Sequence, residues 1–283
     1  MVDGFRPRDL GEALDILSRQ SCTVIAGGTD IMVQRQRGAG VLPDFRSPLL
    51  FIDHLGELQR IYRKDGEIRI GTAVRLSDMT EHPLIPPVLK EITGKIACAP
   101  TRHMATPGGN ICNASPAGDT LPYLYAVDAK LLLRSAKGER TVAVQDFITG
   151  VKQTQIRQDE LLTEIMIPQR RFTVNVYRKV GQRRGMSLSK LSFLGMADMR
   201  KDTLSGIRIA LGAVAPVVVR DAAAEKMMEG KDRKELREMR ERILRRYGER
   251  IRPVDDARST AAYRRHVALA LTGDFLQQLC EKT

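Results

Sequence analysis

The feature that most limits the folds open to this chain is a run of fourteen residues, 106–119, reading TPGGNICNASPAGD. Three glycines, two asparagines and two prolines interrupt any apolar repeat of 2 or 3.6 residues, so the run predicts loop between helical segments. A tight structural loop rarely needs so many small hydrogen-bonding groups in succession. A backbone cradle for an anion such as a pyrophosphate does, because amides, hydroxyls and carboxamides can together meet its oxygens. Composition alone leaves both readings open.

A second segment, VIAGGTDIM at 24–32, runs from an apolar stretch into paired glycines, a hydroxyl and a carboxylate. Paired glycines permit positive φ and a close backbone approach to a ligand, although a strand-ending turn explains them about as well. The segment is neither the GxGxxG of a dinucleotide-binding βαβ unit nor the GxxxxGK[ST] phosphate loop, so both of those nucleotide folds are disfavoured.

Around these segments helical and extended patterns alternate. Residues 7–20 place Leu10, Ala13, Leu14 and Leu17 on one face, with Asp9 at the start of the helix. Strands are expected at 22–26, 49–52 and 67–70, and helices at 86–97 and 121–129. A hairpin follows at 130–134 and 140–144, then strands at 161–167 and 174–180 with a domain boundary near 168–172. Beyond it, strands at 189–199 and 207–219 precede helices from 221 to the end, an α+β layout.

A length of 283 residues suggests about two domains, and 42% hydrophobic with 28% charged residues suits a globular chain. No apolar run approaches the roughly 18 residues of a membrane span, and residues 1–8 lack the apolar core of a leader, so a soluble cytoplasmic protein is expected. Cys22, Cys98, Cys112 and Cys280 form no CxxC pair, which disfavours disulfides, zinc or an iron–sulfur cluster on this chain. The net charge of +12 favours anionic partners, and residues 231–252 hold ten basic and five acidic side chains on one amphipathic helix. That helix reads as a solvated face or an acidic subunit's docking surface. Nucleic acid is disfavoured because no aromatic–basic interleaving accompanies the charge. No Ser–His–Asp or Cys–His spacing supports nucleophilic catalysis, so no catalytic residue is assigned.

Taken together the two glycine segments, about eighty residues apart, resemble the FAD-binding subunit of the molybdenum hydroxylases, the medium subunits of xanthine dehydrogenase and carbon monoxide dehydrogenase. IRIGTAVRLSDM at 68–79, IACAPTRHMATPGGN at 96–110, LLTEIMIP at 161–168, YRKVGQRRGMSLSKLS at 177–192 and RSTAAYRRHVALAL at 258–271 resemble further stretches of that family in the same order.

The resemblance implies an α+β fold: a two-subdomain FAD-binding domain of the PCMH (vanillyl-alcohol-oxidase-like) type at 1–169, with subdomains of about 1–56 and 57–169. A C-terminal α+β domain of the CO dehydrogenase flavoprotein type would occupy 170–283. It also implies FAD on this chain. The first FAD loop would be Val24, Ile25, Ala26, Gly27, Gly28, Thr29, Asp30 and Ile31. The second would be Thr106, Gly108, Gly109 and Asn110, with the amides of Gly108 and Gly109 presented to the pyrophosphate and Asn113 and Ser115 as weaker members. Asp119, Lys179 and either Leu162 or Thr163 would complete the site. Simpler roles compete at several positions: turn caps for Thr29 and Thr106, a helix cap for Asp119, an exposed surface position for Lys179.

By the same resemblance, electrons would pass from a molybdopterin centre on a large subunit through [2Fe–2S] clusters on a small subunit to this FAD, then to an acceptor such as NAD. A stand-alone flavin oxidoreductase of the same fold, or a scaffold subunit without cofactor, are the competing functions. Two positions depart from the family pattern: Pro107 cannot donate a hydrogen bond, and Ser187 replaces an acid in a segment that also carries Arg183, Arg184 and Lys190.

Overall fold

A computed structural model describes residues 2–183 and 185–281, so Arg184 lies outside the described residues. Contacts divide the chain into two units, residues 1–114 with 129–168 and residues 115–128 with 169–283. Sequence reading expects a single crossing near 168–172; the chain also crosses at 114/115 and 128/129.

The first unit opens with β1 (Gly4–Phe5), α1 (Leu10–Arg19), β2 (Thr23–Ile25), α2 (Ile31–Arg35) and β3 (Leu49–Phe51). The three strands form a parallel sheet in the order β1-β3-β2. Asp9 caps α1 by accepting from the Glu12 amide, and the helix buries Leu10, Ala13 and Leu17 against Leu50, Ile52 and Leu55. Each of the leucine and isoleucine side chains contributes about 1.5–3 kcal/mol by leaving water.

Next come β4 (Ile61–Lys64) and β5 (Glu67–Gly71), joined at Asp65 and Gly66, whose φ values of 52° and 73° are those of a tight hairpin turn. Sequence reading finds β5 but misses β4, because IYRK is half polar and half exposed. The helices α3 (Leu76–Glu81), α4 (Pro87–Gly94), α5 (Ala99–Arg102) and α6 (Pro107–Cys112) follow, and α7 (Leu121–Ala126) belongs to the second unit. The first unit is completed by β6 (Lys130–Ser135), β7 (Gly138–Ala143), α8 (Val144–Phe147), β8 (Ile148–Gly150), β9 (Gln153–Thr154) and β10 (Leu161–Pro168). Five of these strands make an antiparallel sheet in the order β4-β5-β10-β6-β7.

The helix α6 corrects the expectation of continuous loop over 106–119. Thr106 supplies a capping hydroxyl and Pro107 occupies the first turn, where its missing N–H costs nothing. Caps rather than apolar period define this helix, so a periodicity test passes over it.

In the second unit β11 (Val174–Val180), β12 (Leu191–Arg200), β13 (Thr203–Gly212) and β14 (Val219–Arg220) form an antiparallel sheet in that order. The helices α9 (Ala222–Met228), α10 (Arg233–Arg250) and α11 (Ala261–Cys280) complete it. The single strand expected at 207–219 is broken after Gly212 because Ala213 turns to a φ of 60° and its amide donates to Pro116 O at 2.8 Å. That bond, and the burial of all six residues of α7, explain why residues 115–128 belong with this unit. Its core joins Phe193, Ile209 and Leu211 of the sheet to Tyr247 and Phe275 of the helices. Part of the basic excess on α10 is spent internally: Arg246 and Arg250 close on the buried carboxylate of Asp221 at 3.0 and 3.1 Å.

Candidate functional site

In the first unit the segment 24–31 leaves the parallel sheet and enters α2. Val24 and Ala26 alternate with buried Ile25, so the first two line a cavity while the third points the other way. Gly27 packs against backbone: a Cβ there would lie 1.9 Å from Met104 O. Gly28 has a φ of 69°, and a Cβ there would make only ordinary contact, 3.5 Å from Met32 Cγ. Among the described residues the amides of Gly27, Gly28, Thr29, Asp30 and Ile31 have no acceptor; Met32 is the first to donate, to Gly28 O at 3.0 Å. The Thr29 hydroxyl makes no hydrogen bond to a described residue, so it caps no turn. Asp30 holds the cap position of α2 without a capping bond.

The second segment is set by three short bonds. Thr106 Oγ1 accepts from the Gly109 amide at 3.1 Å, the turn-capping role. The Gly108 amide donates to Thr72 O at 3.1 Å, and a Cβ on Gly108 would stand 2.5 Å from Thr72 Cβ. Both amides expected to face a pyrophosphate are therefore engaged within the chain, which corrects that detail of the sequence reading. Thr72 in turn donates to Leu162 O at 2.7 Å. The two neighbouring residues of β10 are placed differently. A bulge between Leu162 and Glu164 leaves Leu162 on the cavity wall, whereas Thr163 is buried with its hydroxyl on Leu132 O. Asn110 is half-buried on α6.

These elements enclose a cavity of about 440 Å³ walled by Val24, Ala26, Thr72, Gly108, Gly109 and Leu162. That is within the range of small-ligand sites. Glu160 also lines it, with a side chain 5% exposed. It takes a bidentate pair from Arg140 at 2.6 and 2.8 Å and a bond from the Arg157 amide at 2.8 Å. The Arg140 hydrogen bonds hold its carboxyl below the usual range against the opposing effect of burial, so it stays ionised. Sequence reading missed Thr72, Arg140 and Glu160. Thr72 lies inside a stretch already matched by resemblance; nothing local marks the Arg140–Glu160 pair, which is twenty residues apart in the chain.

In the second unit Asp119 and Lys179 come together. Lys179 Nζ is 2.7 Å from Asp119 Oδ2 with the two side chains 10% and 8% exposed, so this lysine is not an ordinary surface residue. Asp119 Oδ1 accepts from the buried Ser189 hydroxyl at 2.6 Å. Nor is Asp119 the cap of α7, whose cap position is Thr120. Ser187 turns its hydroxyl into its own loop, accepting from the Gln182 amide at 3.0 Å.

Among the described residues no cluster of three or more His, Cys, Asp or Glu side chains could hold a metal ion, and no helix is long and apolar enough to cross a membrane.

Comparison with known proteins gives this geometry a context. Residues 1–170 match the family model described as the FAD binding domain in molybdopterin dehydrogenase. Residues 176–279 match the CO dehydrogenase flavoprotein C-terminal domain. The chain is 29% identical to the glyceraldehyde dehydrogenase medium chain of Sulfolobus acidocaldarius over 94% of both proteins. It is also 29% identical to the putative xanthine dehydrogenase FAD-binding subunit of Escherichia coli, over 78% of this chain and 76% of that one. Among solved structures, carbon monoxide dehydrogenase from Hydrogenophaga pseudoflava lacking the Mo-pyranopterin moiety superposes with a TM-score of 0.87 at 25% identity, covering 99% of this chain and 98% of that chain. The glycine-walled cavity in residues 1–170 thus lies in a domain of known kind, and the chain belongs to the family of FAD-binding domains of molybdopterin dehydrogenases, continued by a CO dehydrogenase flavoprotein C-terminal domain.

Proposed function

We propose that this chain is the FAD-carrying medium subunit of a three-subunit molybdenum hydroxylase of the cytoplasm, where its four free thiols stay reduced. A large subunit would carry molybdopterin and a small one the [2Fe–2S] clusters, with NAD or a similar acceptor taking the electrons. The observation that carries the reading is the pairing, in one unit, of five consecutive amides with no acceptor among the described residues and a cavity whose wall combines glycine and aliphatic side chains with the polar Thr72, Arg157 and Glu160. Those features fit FAD. The amides of residues 27–31 suit the pyrophosphate, and Val24, Ala26, Gly108, Gly109 and Leu162 suit the flat apolar surface of a nucleotide. Bound FAD would supply the electron chemistry, and the chain's own residues would hold it, keep water from it and set its electrostatic surroundings. The same reading divides the sequence at about 169 into the FAD-binding domain and the C-terminal domain.

The test is Gly109→Val. Gly109 is exposed, and an added Cβ meets only Thr106 Oγ1 at 3.2 Å, so the fold should survive while a bulky side chain enters the cavity. The expected outcome is an unchanged circular dichroism spectrum and loss of flavin from the purified full-length protein. Stoichiometric FAD in that variant would overturn the placement. Oxidation of an organic substrate by the isolated chain would overturn the subunit role.

A further inference from the structure

We propose that Lys152 is a positioning residue that clasps the two glycine segments of the first unit together and so governs how long FAD is retained. This inference rests on the FAD reading above and adds to it a residue that neither segment contains.

Lys152 sits in the turn between β8 and β9 with a φ of 58°. Glycine adopts that conformation freely, whereas lysine does so only against its own Cβ. Lys152 is held there by contacts of both its backbone and its side chain. Its amide donates to Ala114 O at 2.9 Å, and Ala114 itself has a φ of 43° just beyond the end of α6. Its ammonium donates to Asn113 Oδ1 and lies 3.4 Å from Asp30 Oδ2. From α2, Gln34 donates to the same Asp30 oxygen and lies 3.2 Å from Asn113 Oδ1. Four polar side chains from the first segment, α2, the end of α6 and the β8–β9 turn therefore close one network.

This network does little for the stability of the fold, because the Lys152 and Asp30 side chains are 46% and 56% exposed and such pairs are weak in water. Its leverage is on position. Asp30 belongs to the stretch 27–31 whose amides have no acceptor among the described residues, and Asn113 follows the helix that bears Gly108 and Gly109. Tying the two carbonyl-bearing side chains to one ammonium keeps both segments in the arrangement that binds. Pre-organisation of this kind shows chiefly as a slower dissociation rate.

The experiment loads the full-length chain with FAD, dilutes it, and follows recovery of free-flavin fluorescence, beside the melting temperature of the flavin-free protein. Lys152→Gly removes the ammonium and relieves the left-handed backbone at once. It should release FAD three- to tenfold faster, while the flavin-free Tm stays level or rises. Lys152→Met should release FAD as fast as Lys152→Gly, and Lys152→Arg should restore slow release. Raised salt should speed release from the wild type and leave Lys152→Gly unaffected. A lowered flavin-free Tm in Lys152→Gly would make the residue merely structural and overturn the proposal. Wild-type release rates in Lys152→Gly would overturn the clasp alone, whereas a wild-type chain that takes up no FAD would overturn the FAD reading with it.

Discussion

Neighbouring glycines of the first segment are required for different reasons, and substitution separates them. Alanine at Gly27 would drive its Cβ to 1.9 Å from Met104 O, a backbone atom that cannot swing away. Gly27→Ala should therefore cost about 3 kcal/mol or more, at the upper end of overpacking effects. At Gly28 nothing lies closer than 3.5 Å and only the φ of 69° is unfavourable, so Gly28→Ala should cost about 1–2 kcal/mol. Urea unfolding of the two variants measures the difference; equal costs would mean that the contact with residues 104–105 relaxes freely. The pair GG is legible in the sequence as a special backbone site. Which glycine faces a neighbour and which merely turns depends on residues about eighty positions away. For the same reason the amides of Gly108 and Gly109 could be placed in a cradle by sequence but not seen to be engaged by Thr72 O and Thr106 Oγ1.

Among the elements, β12 and α11 pack through a missing side chain. A Cβ at Gly195 would meet three ring atoms of Phe275 at 2.7–2.8 Å, and Phe275 also lies edge-on to Phe193 with centroids 5.8 Å apart. Gly195→Ala should destabilise the second unit by about 1–3 kcal/mol, and adding Phe275→Leu should recover part of that loss by making room. Thermal melts of the single and double variants decide it; simple additivity of the two costs would exclude a direct clash. Long helices such as α1 and α10 are legible because their apolar period and caps agree, Asp232 and Glu235 forming a reciprocal capping box on α10. Short elements such as α6 and β4 are not, since six or fewer residues carry too little period to rise above local composition.

For the whole molecule, acid should be the damaging direction of pH, and both units contribute. In the first, hydrogen bonds from Arg140 hold Glu160 below the usual carboxylate range. In the second, burial alone would raise Asp221 and Asp256, but the Ala224 amide with Arg250 and Arg246 at the former, and Arg258 with Arg264 at the latter, outweigh it and lower both. A carboxylate whose folded pKa is depressed contributes stability that is complete above its unfolded pKa of about 4 and is lost as pH falls through the folded value. The Tm should therefore be level in the region above about pH 5 as far as these groups are concerned, and fall progressively below pH 4. A melting temperature that does not fall on acidification would show that these pairs contribute nothing net. What the sequence by itself determined is whatever local pattern encodes: the α+β order of elements, the capped amphipathic helices, two glycine segments of special backbone, and the family they mark. Only the tertiary structure decided that residues 115–128 pack with the second unit, that Glu160 is locked by Arg140, and that Lys152 meets Asp30 and Asn113. Those outcomes turn on side chains far apart in the chain, whose meeting carries a loop-closure cost and is encoded by no local pattern.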